Sequence, residues 1–172
     1  MSKKKIIKRF GEIGIIYKEP VKLRSGLISN FYCDIKKAFG YPDILNALAE
    51  EIGKKLPKSI TCVAASGYGG LPLVAVISLK FNKKFIAVRN SPKKHGKGGI
   101  IDGYIPTNKD SIIIIDDVLT TGSSIKTTLA GLKNIKAKIN GAIVVVKRGE
   151  AKLPISYSYI FTINEIINNE SK

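Results

Sequence analysis

Cysteine is scarce in this chain: Cys33 and Cys62 are the only two in 172 residues, and they stand at no metal-ligand spacing. One disulfide between them stays open, but two lone thiols in a chain of this size point to a reducing cytoplasm rather than a disulfide-built secreted scaffold. Histidine is scarcer still, and His95, the single one, has no companion ligands that would make it a metal site. Long hydrophobic runs are missing as well. The longest strongly apolar run, Ile112 to Ile115, is far too short to span a bilayer. The basic opening MSKKKIIKRF is not followed by an apolar stretch of signal-peptide length. Internal repeats and low-complexity segments are absent. These absences together predict a soluble cytoplasmic protein with no membrane segment.

Acidic residues are few. Thirteen Asp and Glu face 29 Lys and Arg, a formal net charge of +16. Such a field favours anionic partners, whether polyphosphate metabolites, nucleic acid or acidic lipids. The basic residues are mostly lysine and are spread along the chain. A nucleic-acid binder more often gathers them on one helix or interleaves them with aromatics, so that reading is disfavoured. With 44% hydrophobic and 24% charged residues the composition is that of a globular protein, and the length fits one domain with a real core.

Hydrophobic periodicity divides the chain into alternating strands and helices. Residues 4–16 carry Ile, Phe and Lys at helical spacing, and 43–56 form an amphipathic helix entered after Pro42 and stopped by Pro57. Residues 59–65 read as a short buried strand ending in Ser66-Gly67-Tyr68-Gly69-Gly70, then 71–79 as a helix with Pro72 in its first turn, and 85–88 as a second strand. Residues 91–110 are rich in Gly and Lys without hydrophobic period, as in an active-site lid. Strands follow at 111–115, 142–146 and 156–162, with a helix over roughly 122–137. This alternation predicts an α/β fold, a mostly parallel sheet covered on both faces. Ligands of such sheets bind beyond the carboxyl ends of the strands, where the loops 66–70, 89–103, 116–124 and 147–150 all begin.

The densest information lies in Ile112-Ile-Ile-Ile-Asp-Asp-Val-Leu-Thr-Thr-Gly-Ser-Ser124. A buried strand delivers two adjacent carboxylates to its end, followed by small hydroxylated residues and a glycine opening a helix. Free N–H groups and partial positive charge at that helix start suit a phosphate. The carboxylates would repel a phosphate but suit the two cis hydroxyls of a ribose. A strand ending in an Asp-rich turn with a Ser or Thr cap would account for the capping residues. It would not account for two consecutive acids behind four isoleucines.

This segment resembles the phosphoribosyl pyrophosphate (PRPP) signature of the type I phosphoribosyltransferases. The resemblance implies that Asp116 and Asp117 hold the ribose hydroxyls. It further implies that Val118, Leu119, Thr120, Thr121, Gly122, Ser123 and Ser124 form the loop around the 5-phosphate. Other segments resemble the orotate phosphoribosyltransferases in particular. Leu23-Arg24-Ser25-Gly26 and Ser29-Asn30-Phe31-Tyr32 are similar to that family's N-terminal stretch, although lysine is usual at the position of Arg24. There Phe31 or Tyr32 would pack on a pyrimidine, or else belong to the core. Ser66 to Leu73 resembles the pyrophosphate loop; its glycines, with Gly69 and Gly70 implied as PRPP contacts, permit the unusual backbone angles that turn N–H groups toward an anion. Arg89-Asn-Ser-Pro-Lys93-Lys94-His95-Gly96 resembles the mobile loop that neutralises pyrophosphate in the neighbouring subunit. Arg89, Lys93, His95 and Gly96 match it, whereas Asn90 replaces the usual lysine. Val146-Lys147-Arg148-Gly149-Glu150 resembles the strand end whose arginine meets the orotate carboxylate by paired hydrogen bonds. Thr120 maps onto the other orotate contact.

The resemblance implies the type I phosphoribosyltransferase fold with an N-terminal hood over residues 1–40 and a core over 41–165. It also implies the conversion of orotate and PRPP to orotidine 5′-monophosphate and pyrophosphate in UMP biosynthesis. Mg²⁺ would be held mainly through substrate oxygens, with no dedicated metal cage, and the enzyme would be a homodimer with shared sites. Lys93, His95, Asp116 and Asp117 would be its catalytic residues. Two other readings stay open from sequence: a phosphoribosyltransferase for another nucleobase, and a PRPP-sensing regulator that binds nucleic acid.

Overall fold

A computed structural model describes residues 1–18, 21–22, 28–29, 31–92 and 99–170. Arg24, Lys93, His95 and Gly96 therefore lie outside the described residues. The chain opens with α1 (Lys3–Ile13), whose Ile6, Ile7, Phe10 and Ile13 recur at helical spacing and are all buried. The helix stops short of the expected residue 16 because Gly14 adopts φ 69 and donates its N–H to Phe10 O. Two small antiparallel pairs follow, β1 (Ile16–Tyr17) with β4 (Tyr32–Cys33) and β2 (Val21–Lys22) with β3 (Ile28–Ser29). The short α2 (Ile35–Phe39) and α3 (Pro42–Gly53) lead into the main sheet. α3 ends before the Pro57 expected to stop it, as Lys54 N–H closes onto Glu50 O.

Six strands build that sheet: β5 (Cys62–Ser66), β6 (Lys84–Val88), β7 (Ile101–Gly103), β8 (Ser111–Leu119), β9 (Lys138–Lys147) and β10 (Tyr157–Thr162). Their spatial order is β10-β9-β8-β5-β6-β7, parallel throughout except for β7 against β6. The crossovers carry α4 (Gly67–Phe81) and α5 (Ser123–Gly131), and α6 (Ile163–Glu170) follows the last strand. Alternate residues of each buried strand serve different faces. Val63, Ala65, Ile113, Ile115, Ile143 and Val145 pack with α1, α3, α4 and α6 residues. Cys62, Ala64, Ile112, Ile114, Ala142 and Val144 face the other way, toward α5 and the segments beside it. The mostly parallel sheet with helices on both faces is the expected α/β architecture. Among the described residues no helix is long and apolar enough to cross a membrane.

Several boundaries correct the sequence expectations. β8 runs on to Leu119 instead of ending at Ile115, because its ladder with β9 continues through Asp116↔Val144, Val118↔Val146 and Leu119↔Lys147 after its pairing with β5 stops at Ile114. α4 begins at Gly67, so the Gly-rich segment is its first turn and no separate loop. Pro72 thereby falls inside the helix, where it deprives the Tyr68 carbonyl of a donor. α5 ends at Gly131, well before 137, and β9 begins at Lys138, before the expected 142.

The stretch 91–110 is not unpatterned throughout, since β7 adds an antiparallel edge strand there. Gly103 ends that strand at φ 83, with Phe85 O so near that a Cβ would lie 2.6 Å from it. Beyond it the buried Asp110 fixes the chain. Its carboxylate accepts from Lys84 Nζ, Tyr104 OH, Thr61 Oγ1 and both the N–H and Oγ1 of Thr107. Those donors, Lys84 first, hold Asp110 far below the usual carboxylate range.

Candidate active site

The extension of β8 sets the geometry of the two acids. Successive side chains of a strand leave opposite faces. Asp116 points toward the start of α5, where Ser124 reaches it, and is only 3% exposed. Asp117 points toward α4 and α2, with its carboxylate against the backbone of Gly69. Each acid also accepts from the next backbone N–H: Asp116 Oδ1 from Asp117 at 3.0 Å, and Asp117 Oδ1 from Val118 at 2.8 Å. Burial, and then the neighbouring charge of Asp117, push the Asp116 carboxyl up to about 8, against the hydrogen bonds from Asp117 N–H and Ser124. Below that value Asp116 keeps its proton.

Past the acids the chain makes the turn Thr120-Thr121-Gly122 and enters α5 at Ser123. Gly122 adopts φ 74, and any Cβ there would lie 2.8 Å from Leu153, so both conformation and space demand glycine. The first-turn N–H groups of α5 have no acceptor within the helix and, with its dipole, make a cradle of the kind that can receive an anion. A buried hydroxyl chain fixes this helix start to the end of β5. Ser66 Oγ donates to Ser124 O at 3.1 Å, while Thr128 Oγ1 reaches Ser66 Oγ at 3.0 Å and Ser124 O at 2.9 Å. Thr121, Ser123 and Ser124 are exposed around the cradle, whereas Leu119 is buried and Val118 packs on the core. Leu119 can therefore meet a ligand only through its backbone.

On the β9 side, Arg148 and Gly149 donate their N–H groups to Leu119 O at 2.9 and 3.1 Å, which brings Arg148 beside Thr120. Gly149 permits the approach, since a Cβ would lie 3.1 Å from Thr120 O. The Arg148 guanidinium stacks over Phe31, 4.9 Å from the ring centroid, and Nη2 donates to Phe31 O at 2.9 Å. Tyr32 follows in β4, 6.2 Å from the Tyr17 ring. Phe31, Tyr32, Thr120 and Arg148 thus gather from three distant segments at one edge of the acid pair.

Gly69 and Gly70 lie on the opposite edge, and both have ordinary helical backbones. Only Gly67, at φ 72, has the unusual angle expected of this segment. Gly69 and Gly70 are needed for space: a Cβ on Gly69 would lie 2.3 Å from Asp117 Oδ1, and one on Gly70 would lie 2.5 Å from Ile115 O. Arg89 and Asn90 are exposed just beyond β6, where Arg89 Nε binds Asp102 Oδ2 at 2.5 Å. Sequence reading missed Asp102, the Ser66–Thr128 hydroxyl chain and Lys36, whose Nζ lies 3.7 Å from Asp117 Oδ2 and 3.3 Å from Asp34 Oδ1. Burial opposes its charge, but Asp117, Tyr32 and Asp34 together hold Lys36 above the ordinary lysine value. Only the spacing Asp34-Ile-Lys36 beside the aromatic pair hinted at it. A cleft of about 630 Å³ lined by Lys58, Thr61, Ser78 and Lys84 lies at the amino ends of β5 and β6, away from these groups.

A parallel sheet with a carboxylate pair leading into an open helix start is the arrangement expected of a phosphoribosyltransferase. The family model described as phosphoribosyl transferase domain matches residues 35–172. Orotate phosphoribosyltransferase of Methanocorpusculum labreanum is 35% identical over 126 residues, covering 73% of this chain and 72% of that protein. Its counterpart in Methanocaldococcus jannaschii is 32% identical over 148 residues, covering 86% and 84%. The crystal structure of orotate phosphoribosyltransferase from Aeropyrum pernix superposes with TM-score 0.82 at 25% identity, covering 96% of this chain and 98% of that one. Within the phosphoribosyltransferases, the chain belongs to the orotate phosphoribosyltransferase family.

Proposed function

We propose that this chain transfers the phosphoribosyl group of PRPP to orotate, giving orotidine 5′-monophosphate and pyrophosphate for UMP synthesis. The observation that carries the substrate choice is Arg148, held beside Thr120 and stacked on Phe31 at the edge of the acid pair. A guanidinium presents a planar fork that fits a carboxylate, and orotate has one where purines and uracil do not. In this reading α5 and the Thr120–Ser124 turn cradle the 5-phosphate. Asp116 and Asp117 orient the ribose hydroxyls without transferring protons to the base. The ribose passes through an oxocarbenium-like state, so catalysis rests on positioning and on neutralising the departing pyrophosphate. Gly69 and Gly70 let the first turn of α4 lie close against Asp117 and Ile115 beside that group, and Arg89, Lys93 and His95 would neutralise it.

Mg²⁺ belongs to the same reading. The donor set fits an ion held through substrate and water: Asp117 is turned to Lys36 and Asp116 keeps a proton. Among the described residues no cluster of three or more His, Cys, Asp or Glu forms a cage. Asp117 would meet such an ion at its edge, and when bound the ion would supply charge for the diphosphate. The hood over 1–40, the core over 41–165, the cytoplasmic setting and a homodimer with shared sites complete the proposal. Support for a dimer comes from α4. Tyr68 and Leu79, each 88% exposed, lie on one helix face with Pro72 and Ala75, in a helix apolar nearly all round.

The test is the absorbance change of orotate on mixing protein, orotate, PRPP and Mg²⁺, with uracil, adenine, hypoxanthine and guanine in parallel. Consumption of orotate alone is expected. Consumption of another base in its place, or of none, would overturn the reading.

A further inference from the structure

We propose that Lys36 is a further cation for the diphosphate of PRPP, one that exchanges its contact with Asp117 for the substrate as the ribose hydroxyls engage that acid. The inference rests on the reaction proposed above. Lys36 is the first lysine of α2, a helix anchored by the fully buried Ile35 and Ala38 and by the Asp34 N–H bond to Ile15 O at 2.8 Å. That anchoring directs its stem at the site, with Nζ 3.7 Å from Asp117 Oδ2 and 3.3 Å from Asp34 Oδ1. Its side chain is 43% exposed, so the ammonium can leave Asp117 without unpacking the core. The next residue behaves differently. Lys37 Nζ donates to Gly14 O at 3.1 Å and lies over the Tyr17 ring, where it supports the end of α1.

Stereochemistry places the leaving group near this lysine. In PRPP the diphosphate stands on the same face of the ribose ring as the two hydroxyls, next to one of them. A cation touching the carboxylate that receives those hydroxyls therefore sits on the face from which pyrophosphate departs. Charge balance calls for one there. Asp34 and Asp117 both lie against Lys36, and a polyanion brought beside two acids would be repelled without compensation. Asn90 stands where the family resemblance leads to a lysine, and Arg89 is engaged by Asp102. The Lys36 end of this pair is open to solvent although Asp117 is mostly covered, so the contact is weakened by water and is available for exchange with a ligand.

The experiment compares Lys36→Gln and Lys36→Arg with the parent chain, in the presence of Mg²⁺. Calorimetry would give the affinities for inorganic pyrophosphate, PRPP and ribose 5-phosphate, and orotate consumption would give kcat. Loss of a charge-assisted contact predicts that Lys36→Gln weakens pyrophosphate and PRPP binding by about tenfold or more. Ribose 5-phosphate affinity and the thermal midpoint should stay near the parent's, and Lys36→Arg should recover most of the loss. Unchanged pyrophosphate affinity in Lys36→Gln would overturn the proposal. So would equal losses for pyrophosphate and ribose 5-phosphate, since Lys36 would then merely support Asp117. A parent chain that binds pyrophosphate and PRPP yet leaves orotate untouched would sink the proposed reaction while leaving the Lys36 comparison readable. A parent that binds neither would end both.

Discussion

Asp117 rests directly on the backbone of Gly69, so closely that a methyl group there would lie 2.3 Å from Oδ1 and 2.4 Å from Cγ. Gly70, one residue on, is equally confined but by different atoms, with its missing Cβ 2.5 Å from Ile115 O and 2.6 Å from Ala65 Cβ. The two glycines should therefore fail differently. Gly69→Ala can be absorbed by turning the Asp117 side chain, so the protein should fold normally while kcat/KM for PRPP falls at least tenfold, by about 1.4 kcal/mol or more. Gly70→Ala presses on backbone, which cannot swing aside, and should cost about 1–3 kcal/mol of stability. Urea unfolding and steady-state kinetics on both variants check this. Similar stability losses in the two would show that Asp117 is not free to move.

Asp116 gives stability an unusual dependence on pH. In the unfolded chain its carboxyl ionises near the ordinary value of about 3.9, whereas in the fold burial and Asp117 keep the proton on up to about 8. Between those values the folded state binds more protons, so this group makes stability fall as pH rises. Asp110, Glu50 and Glu150 have lowered values, and their contributions are already complete above the ordinary carboxylate range. Asp116→Asn should remove the slope, gaining on the parent by up to about 1.4 kcal/mol for each pH unit between 5 and 8. Urea midpoints at pH 5 and pH 8 measure it. Parallel curves for parent and variant would mean that Asp116 is ionised throughout. Turnover, by contrast, should nearly vanish when both acids become Asn.

Much of this arrangement is legible in the sequence, and what is not has a physical cause. Four isoleucines before two acids announce a buried strand with its carboxylates at the sheet's carboxyl edge, and the Thr-Thr-Gly-Ser-Ser run announces the turn into α5. Period alone could not show that β8 continues through the acids, because that depends on β9 still pairing alongside. Glycines 69 and 70 read naturally as residues needing unusual angles. Their actual requirement is room for Asp117 and for Ile115 O, neighbours far away along the chain. The same distance hides Lys36. The spacing Asp34-Ile-Lys36 is a faint hint, and it gains meaning only when the fold sets Asp117 beside the lysine.

Arg148→Ala should raise KM for orotate far more than KM for PRPP. Loss of a charge-assisted paired contact is worth about 2–3 kcal/mol, or about 30- to 150-fold. Arg148→Lys keeps the charge but not the planar fork or the stacking on Phe31, and should fall between. Steady-state kinetics with each substrate varied in turn decide the matter. Equal effects on the two constants would remove Arg148 from base recognition.

The riskiest expectation concerns the segment from Arg89 to Gly103 and the dimer it is proposed to serve. Its lysines are useful only near a polyanion, and a closed segment would also exclude water from the reacting ribose. If it completes the partner's site, Lys93→Ala and the Asp116→Asn/Asp117→Asn double variant should each be nearly inactive yet complement one another. A mixed dimer then holds one site with both defects and one with neither, so an equal mixture at full exchange should regain about a quarter of parental activity. No recovery despite demonstrated exchange would mean that each chain builds its own site. Leu79→Glu tests the surface behind the idea, because a charge on the exposed face of α4 opposes burial of that face in an interface. Sedimentation should show it shifted toward monomer, with activity lost on dilution. Asn90→Lys sharpens the same experiment: a faster turnover would show that the cation missing from this position limits pyrophosphate departure. An unchanged rate would mean that neighbouring lysines already do that work or that pyrophosphate departure is not limiting.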